Sequence, residues 1–167
     1  METVIMNKTE LKNYLLSEQK HAFKGWDFSY IQNRMKQEPL SWNYRDIVDK
    51  YRKNSQKLLD MGTGGGEFLL TLKHPYENTT VTEAYPPNAA LCKEKLQPLG
   101  IDVRQIFSDS KLPFENNSFD IILNRHEAYD VGEIARILKP QGIFITQQVG
   151  GRNNNDLSSR LIDGFVP

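Results

Sequence analysis

The stretch Leu58-Leu59-Asp60-Met61-Gly62-Thr63-Gly64-Gly65-Gly66-Glu67-Phe68 constrains the fold more than any other part of this chain. An apolar run ends in a carboxylate, glycines that take positive φ without a Cβ penalty follow, and Phe68, Leu69, Leu70 and Leu72 continue in a helix-like segment. That order predicts a strand, a tight turn and a helix start. Backbone N–H groups of such a turn approach a ligand closely, which a side chain at Gly62, Gly64 or Gly66 would obstruct. The turn therefore predicts a site for a nucleotide-like small molecule.

The rest of the chain is read outward from this turn. Asn7-Lys8-Thr9-Glu10 has the pattern of an N-cap with a carboxylate three residues on, and Leu11, Tyr14 and Leu15 give one apolar face, so a first helix of about three turns is expected, ending near Gly25. Trp26-Asp27-Phe28-Ser29-Tyr30-Ile31 and Pro39-Leu40-Ser41-Trp42 concentrate aromatics without a period. They either pack the N-terminal helices onto the domain or line a substrate pocket, and packing is the commoner use of such rings. Tyr44, Ile47, Val48 and Tyr51 fall at helical spacing and lead into a strand at 57–60. Further strands are expected at 79–83, 101–107, 119–123 and 143–149, with helices up to about Lys73, from Asn88 to Leu99 and from Asp130 to Lys139. Strand and helix alternating from Leu58 to Val149 call for parallel βαβ units in a doubly wound α/β sheet. The expected organisation is an N-terminal helical segment, residues 1–57, packed on a core at 58–150, with a loop and short tail at 151–167.

Composition sets outer bounds. A chain of 167 residues with 38% hydrophobic and 25% charged residues is a globular domain that needs no disulfide or metal to fold. No apolar run reaches the about 18 residues of a membrane span, and Met1-Glu2-Thr3 lacks the basic start of a signal peptide, so a cytoplasmic location is expected. Cys92, the only cysteine, is read as a small buried residue. Residues 1–57 carry eleven Lys/Arg against seven Asp/Glu, and the remainder is acidic by the same margin. The basic segment could face a phosphate-bearing substrate, but a solvated helix surface is the commoner reading, and the neutral total gives no support for strong nucleic-acid binding. His21 and His74 have no partners at metal-ligand spacing.

In an open α/β sheet the ligand lies beyond the carboxyl ends of the strands. The polar residues to question are then Asp60 with its glycines, Glu83, Asp109, and Asn124 to Glu127. Glu83 lies about 23 residues beyond Asp60, where a carboxylate can accept both ribose hydroxyls. The dinucleotide pattern G-x-G-x-x-G fails, because Glu67 stands where the third glycine belongs. A carboxylate just before the turn suits a cationic ligand better than a pyrophosphate, and S-adenosylmethionine meets both conditions.

Leu59 to Gly66 resembles the first motif of class I S-adenosylmethionine-dependent methyltransferases, and Thr82-Glu83-Ala84 is similar to their second, acidic motif. Asp109 with Leu112-Pro113-Phe114, Phe119-Asp120-Ile121-Ile122, and Ile137 to Phe144 resemble the family's later segments. The resemblance covers about Leu58 to Val149 and is specific as a set. It implies a Rossmann-like sheet in which Gly62–Gly66 hold the methionine end, Glu83 the ribose, and Asp109 with the Ser110 backbone the adenine. Asn124 joins this cofactor set from the end of the fourth strand. His126 and Glu127 are the nearest candidates for a catalytic base, with His126 also readable as a hydrogen-bonded helix-start residue. The acceptor is expected to be a small molecule, because Asn124-Arg125-His126-Glu127 differs from the motif that grips a flipped nucleic-acid base.

Such methyltransferases usually add two strands after the fifth, whereas here only Gly150 to Pro167 follow, which suggests a C-terminally truncated form with one or two helical turns in the tail. The fifth strand would then be an open edge, suited to a homodimer. An NAD(P)-dependent oxidoreductase and a cofactor-binding module without turnover stay open as alternatives.

Overall fold

The computed structural model describes residues 6–21 and 25–166. The Met1–Thr3 reading lies outside the described residues, as does part of the stretch in which the first helix was expected to end. Helix α1 spans Lys8–Gln19, and it starts where the cap pattern places it. The Asn7 side chain accepts the Thr9 and Glu10 N–H groups at 3.0 Å, and the Glu10 carboxylate returns to the Asn7 N–H at 2.9 Å.

The two described α-helices of the segment 1–57 differ in how they meet the core. Helix α1 buries none of its residues, and Leu11, Leu15 and Leu16 stay exposed. It is tied instead to the turn at 29–34, where Glu18 accepts Tyr30 Oη–H at 2.9 Å and Arg34 at 2.7 Å, and His21 stacks on Tyr30. Helix α2, Tyr44–Tyr51, does pack, through Tyr44 and Val48.

Five strands follow: β1 Leu58–Met61, β2 Thr79–Glu83, β3 Asp102–Gln105, β4 Phe119–Arg125 and β5 Leu138–Gln147. They form one sheet in the order β3-β2-β1-β4-β5, and every pairing is parallel. A parallel sheet must be covered on both faces. On one face α2, α3 (Glu67–Thr71) and α4 (Pro86–Lys95) bury Val48, Leu69, Leu72, Cys92 and Leu96 against Leu58, Val81, Ile121 and Leu123. On the other, α5 (Val131–Ile137) brings Ile134 and Ile137 onto Leu59, Met61 and Ile122. Cys92 is buried as expected.

Between β3 and β4 the chain runs without a helix, through the segment 106–118. Leu112 and Phe114 pack into the second face, while Arg136 donates to the Leu112 and Phe114 carbonyls at 3.1 and 2.6 Å. One expectation, the start of the fifth strand, is corrected: β5 begins at Leu138 rather than Ile143. Lys139 to Gly142 form an irregularity within it, with Gln141 at φ +64° and the register shifting between Phe119 and Ile121. Proline and glycine there bulge the strand instead of delaying it. A sixth helix, α6, spans Asn155–Leu161.

Order reverses at β1, which has β2 on one side and β4 on the other. The glycine turn leaves β1 at this switch point, where an open sheet of this kind leaves a crevice.

Candidate functional site

The turn takes its shape from three glycines in left-handed backbone: Gly62 at φ +61°, Gly64 at +67° and Gly66 at +79°. Gly66 has a second constraint, since a Cβ there would come within 2.7 Å of a Leu96 methyl. Close packing of turn against helix is thus met at Gly66, one residue before the position the dinucleotide pattern assigns to it. Glu67 consequently points back, accepting the Gly65 N–H at 2.9 Å.

Carboxylates answer the turn's other groups as well. Glu83, buried at the end of β2, accepts the Gly64 N–H at 2.9 Å through one oxygen and the Tyr85 N–H at 2.9 Å through the other. Asp60 accepts the Thr63 hydroxyl at 2.7 Å, and the Cys92 thiol donates to the Gly64 carbonyl at 3.0 Å. Glu127 lies flat over Gly62, where an added Cβ would be 2.7 Å from its Cγ and Oε2. Burial pushes the Asp60 carboxyl up to about 6, against the lowering effects of the Thr63 hydroxyl and the Arg125 charge. Glu127 is raised in the same way by burial, then by the charges of Glu83 and Asp109. The site therefore holds two carboxyls, Asp60 and Glu127, whose ionisation is disfavoured first by burial and then by the neighbouring Glu83 charge, a setting that a cation relieves.

The remaining sequence-derived residues fall into two groups. Asp109 lies in the turn after β3, near enough to Glu127 to act on its charge, with Ser110 exposed beside it and bonded to Ser108. Asn124 pairs with Met61, the residue before the turn, with its side chain on the other face of the sheet. Side chains alternate along β4, so Asn124 falls on the face opposite Asp60's neighbour Arg125. It is fully buried, and its Oδ1 accepts from Gln148 at 2.6 Å. His126 is not a helix-start residue: it closes β4 in left-handed backbone at φ +63°, with its N–H on the Gln147 carbonyl at 2.9 Å. Its ring stacks on Trp26 at 6.3 Å between centroids, and burial holds its pKa below the usual histidine value.

Trp26 corrects the preference for packing among the N-terminal aromatics. It is 43% exposed, and it lines a small cavity of about 30 Å³ with Asp60, Gly62, Phe68 and Arg125. The Gly25–Trp26 segment crosses the turn within 3.6 Å of a Cβ built on Gly64, pinned by the Gly25 N–H to Asn88 at 2.7 Å. Sequence reasoning also missed Thr63 and the exposed rings of Tyr85 and Phe107 just past β2 and β3, and it reached Arg125 only as part of Asn124 to Glu127, without a role of its own. The rings could have been found by position, Tyr85 two residues after the strand-end Glu83 and Phe107 two residues before Asp109. Thr63 carried no such signal. Among the described residues no cluster of His, Cys, Asp and Glu could hold a metal ion, and no helix is long and apolar enough to cross a membrane.

Comparison with known proteins bears on this geometry. Residues 59–146 match the model of the methyltransferase domain family. A demethylmenaquinone methyltransferase of Thermus thermophilus is 30% identical over 116 residues, covering 64% of this chain and 53% of that protein. The uncharacterized protein YafE of Escherichia coli is 37% identical over 86 residues, covering 44% of this chain and 41% of its own length. The chain thus spans about half the length of the curated relatives it matches. Among solved structures, the YcgJ protein of Bacillus subtilis superposes with a TM-score of 0.52 at 26% identity, covering 62% of this chain and 48% of that one.

Proposed function

The chain belongs to the methyltransferase domain family, and from that premise we propose that it binds S-adenosylmethionine at the Gly62–Gly66 turn and serves methyl transfer to a small-molecule acceptor. The observation that carries the reading is the convergence of Asp60, Glu83, Asp109 and Glu127 on one glycine turn. S-adenosylmethionine supplies an electrophilic methyl group on a sulfonium, and carries a cationic ammonium as well. Asp60 and Glu127 fit those positive charges. Glu83 keeps lone pairs for ribose hydroxyls beyond its two backbone bonds, Asp109 and the Ser110 backbone suit the adenine edge, and Tyr85 and Phe107 offer faces to its ring. Asn124 contributes by holding the end of β4 through Gln148 and Thr146.

Glu127 covers Gly62, so a ligand reaches that part of the turn only once Glu127 moves off it. Once displaced, Glu127 is also the better placed of the two candidate bases, with His126 at the rim beside Trp26. Binding both reactants in line supplies most of the acceleration, about 7–11 kcal/mol in well-oriented reactions. The small-molecule acceptor is supported by the name of the Thermus relative, a cytoplasmic setting fits the same reading, and the outer edge of β5 suits pairing with a second copy.

An oxidoreductase reading is weaker because a pyrophosphate would have to displace Glu83 and Glu67 from the Gly64 and Gly65 amides. Parallel calorimetric titrations with S-adenosylhomocysteine and NAD(P) test the choice. Binding of the first alone is expected; binding of NAD(P) alone would reverse it. Tight S-adenosylhomocysteine binding without methyl transfer to any acceptor would favour the module without turnover.

A further inference from the structure

We infer that Arg125, with the cleft beside it, forms a carboxylate-binding subsite for the methyl acceptor, which makes that acceptor a small organic acid with an apolar or aryl body. This rests on the methyltransferase reading and adds a substrate class to it. Arg125 ends β4 on the same face as Asp60, between two spaces. It lines the small cavity at the turn, and it lines an open cleft of about 780 Å³ bounded by Ser41, Trp42, Tyr44, Phe68 and Gln147. A group held by Arg125 therefore adjoins the turn at which the methyl donor is proposed to bind.

The arginine's surroundings point to a missing anion. Its guanidinium lies over the Phe68 ring at 5.3 Å and the Tyr44 ring at 5.9 Å, which fixes its plane and removes water from its faces. It makes no ion pair among the described residues, whereas Arg34, Arg45, Arg52, Arg104 and Arg136 all do; the other two without one, Arg152 and Arg160, are solvated in the exposed tail. Its Nε–H is buried without a hydrogen-bond partner. A partly buried cation with unspent donors is costly unless something pairs with it, and a planar carboxylate matches the guanidinium fork. The nearby carboxylates do not fill that role: Asp60 feels the Arg125 charge but is bonded to Thr63 and forms no ion pair with the guanidinium, and Glu38 lines the cleft without an ion pair to it. The half-exposed Trp42 ring, anchored by its indole N–H to Gln147 at 3.2 Å, offers a face for the body of the acid.

The test titrates sodium benzoate and the uncharged benzamide into the wild-type chain saturated with S-adenosylhomocysteine, reading the Arg125 Nε–H and Trp42 indole signals by NMR. Benzoate is expected to move both signals and to bind at least about tenfold more tightly than benzamide, a difference that Arg125→Gln abolishes. Trp42→Ala is expected to weaken both probes alike. Equal binding of the two probes, or benzoate binding that leaves the Arg125 signal unmoved, overturns the subsite without needing any variant to fold. Competition between benzoate and S-adenosylhomocysteine overturns the acceptor assignment, because Arg125 would then hold the cofactor's own carboxylate. If S-adenosylhomocysteine does not bind but benzoate still discriminates, the methyltransferase reading fails while a carboxylate subsite at Arg125 stands.

Discussion

The Glu83 carboxylate and the Gly64 amide are joined by a 2.9 Å hydrogen bond that ties the end of β2 to the turn leaving β1. One side chain thereby sets the turn's conformation and remains available to a ligand. Glu83→Ala orphans the buried Gly64 N–H, and it is expected to weaken S-adenosylhomocysteine binding by about 1–3 kcal/mol and to lower stability together. Calorimetry and thermal melting check the pair. An affinity unchanged from wild type would remove Glu83 from the site.

Gly66→Ala tests the packing of the turn. The substitution forces a side chain into left-handed backbone at φ +79° and against Leu96, costing about 1–3 kcal/mol for overpacking beyond the backbone term. Gly100, at φ +94° with nothing within 4 Å, provides the comparison: alanine there costs only the backbone term of roughly 1–2 kcal/mol. Urea unfolding of both variants measures the gap, and Gly66→Ala is expected to cost less in a Leu96→Ala background than in the wild type, although Leu96→Ala itself costs about 2–5 kcal/mol.

Asp60 makes the site sensitive to pH. Its carboxyl is raised from the ordinary 3.8 to about 6 in the folded chain, so the folded state holds its proton more firmly than the unfolded state does. No penalty exists below pH 3.8; it grows as pH rises through the window and is complete above about 6, reaching roughly 3 kcal/mol. The stability advantage of Asp60→Asn over wild type is therefore expected to increase between pH 4 and pH 7. Cofactor affinity in the wild type should rise over the same range, as the carboxylate ionises. Urea titrations of both proteins across pH give the first result, and calorimetry gives the second.

Arg136 braces the segment that carries Asp109. It bonds Glu133, the Asn116 side chain and the Leu112 and Phe114 carbonyls, and together with the Leu112 N–H it holds the Glu133 carboxyl down to about 2. Arg136→Ala is expected to raise the Glu133 pKa, seen by carboxyl NMR titration, and to speed hydrogen exchange across 111–115. Unchanged exchange would mean that apolar packing of Leu112 and Phe114 suffices.

Much of this was legible in the sequence because it is written in local rules. The strand, turn and helix of 58–72 follow from glycine spacing and apolar runs, and the α1 cap follows from Asn7 and Glu10 alone. What was hidden depends on contacts between distant residues. Nothing near Gly62 announces that Glu127 lies on it, and nothing near Trp26 announces that it faces the turn rather than the core. The early start of β5 was hidden for a related reason: Lys139-Pro140-Gln141-Gly142 reads as a stop, but pairing of Leu138 with Phe119 turns it into a bulge. Asn124 stood in the right place along the chain and on the other face of the sheet, a distinction of one residue in a strand of period two.

The most direct measurement is a ¹H–¹⁵N titration of the chain with S-adenosylhomocysteine. The account predicts saturable shifts at the Gly62, Gly64, Gly65 and Gly66 amides, at Tyr85, and at Asp109 and Ser110, with none confined to α1 or α6. A folded protein whose turn amides do not move, or whose shifts lie elsewhere, would contradict it.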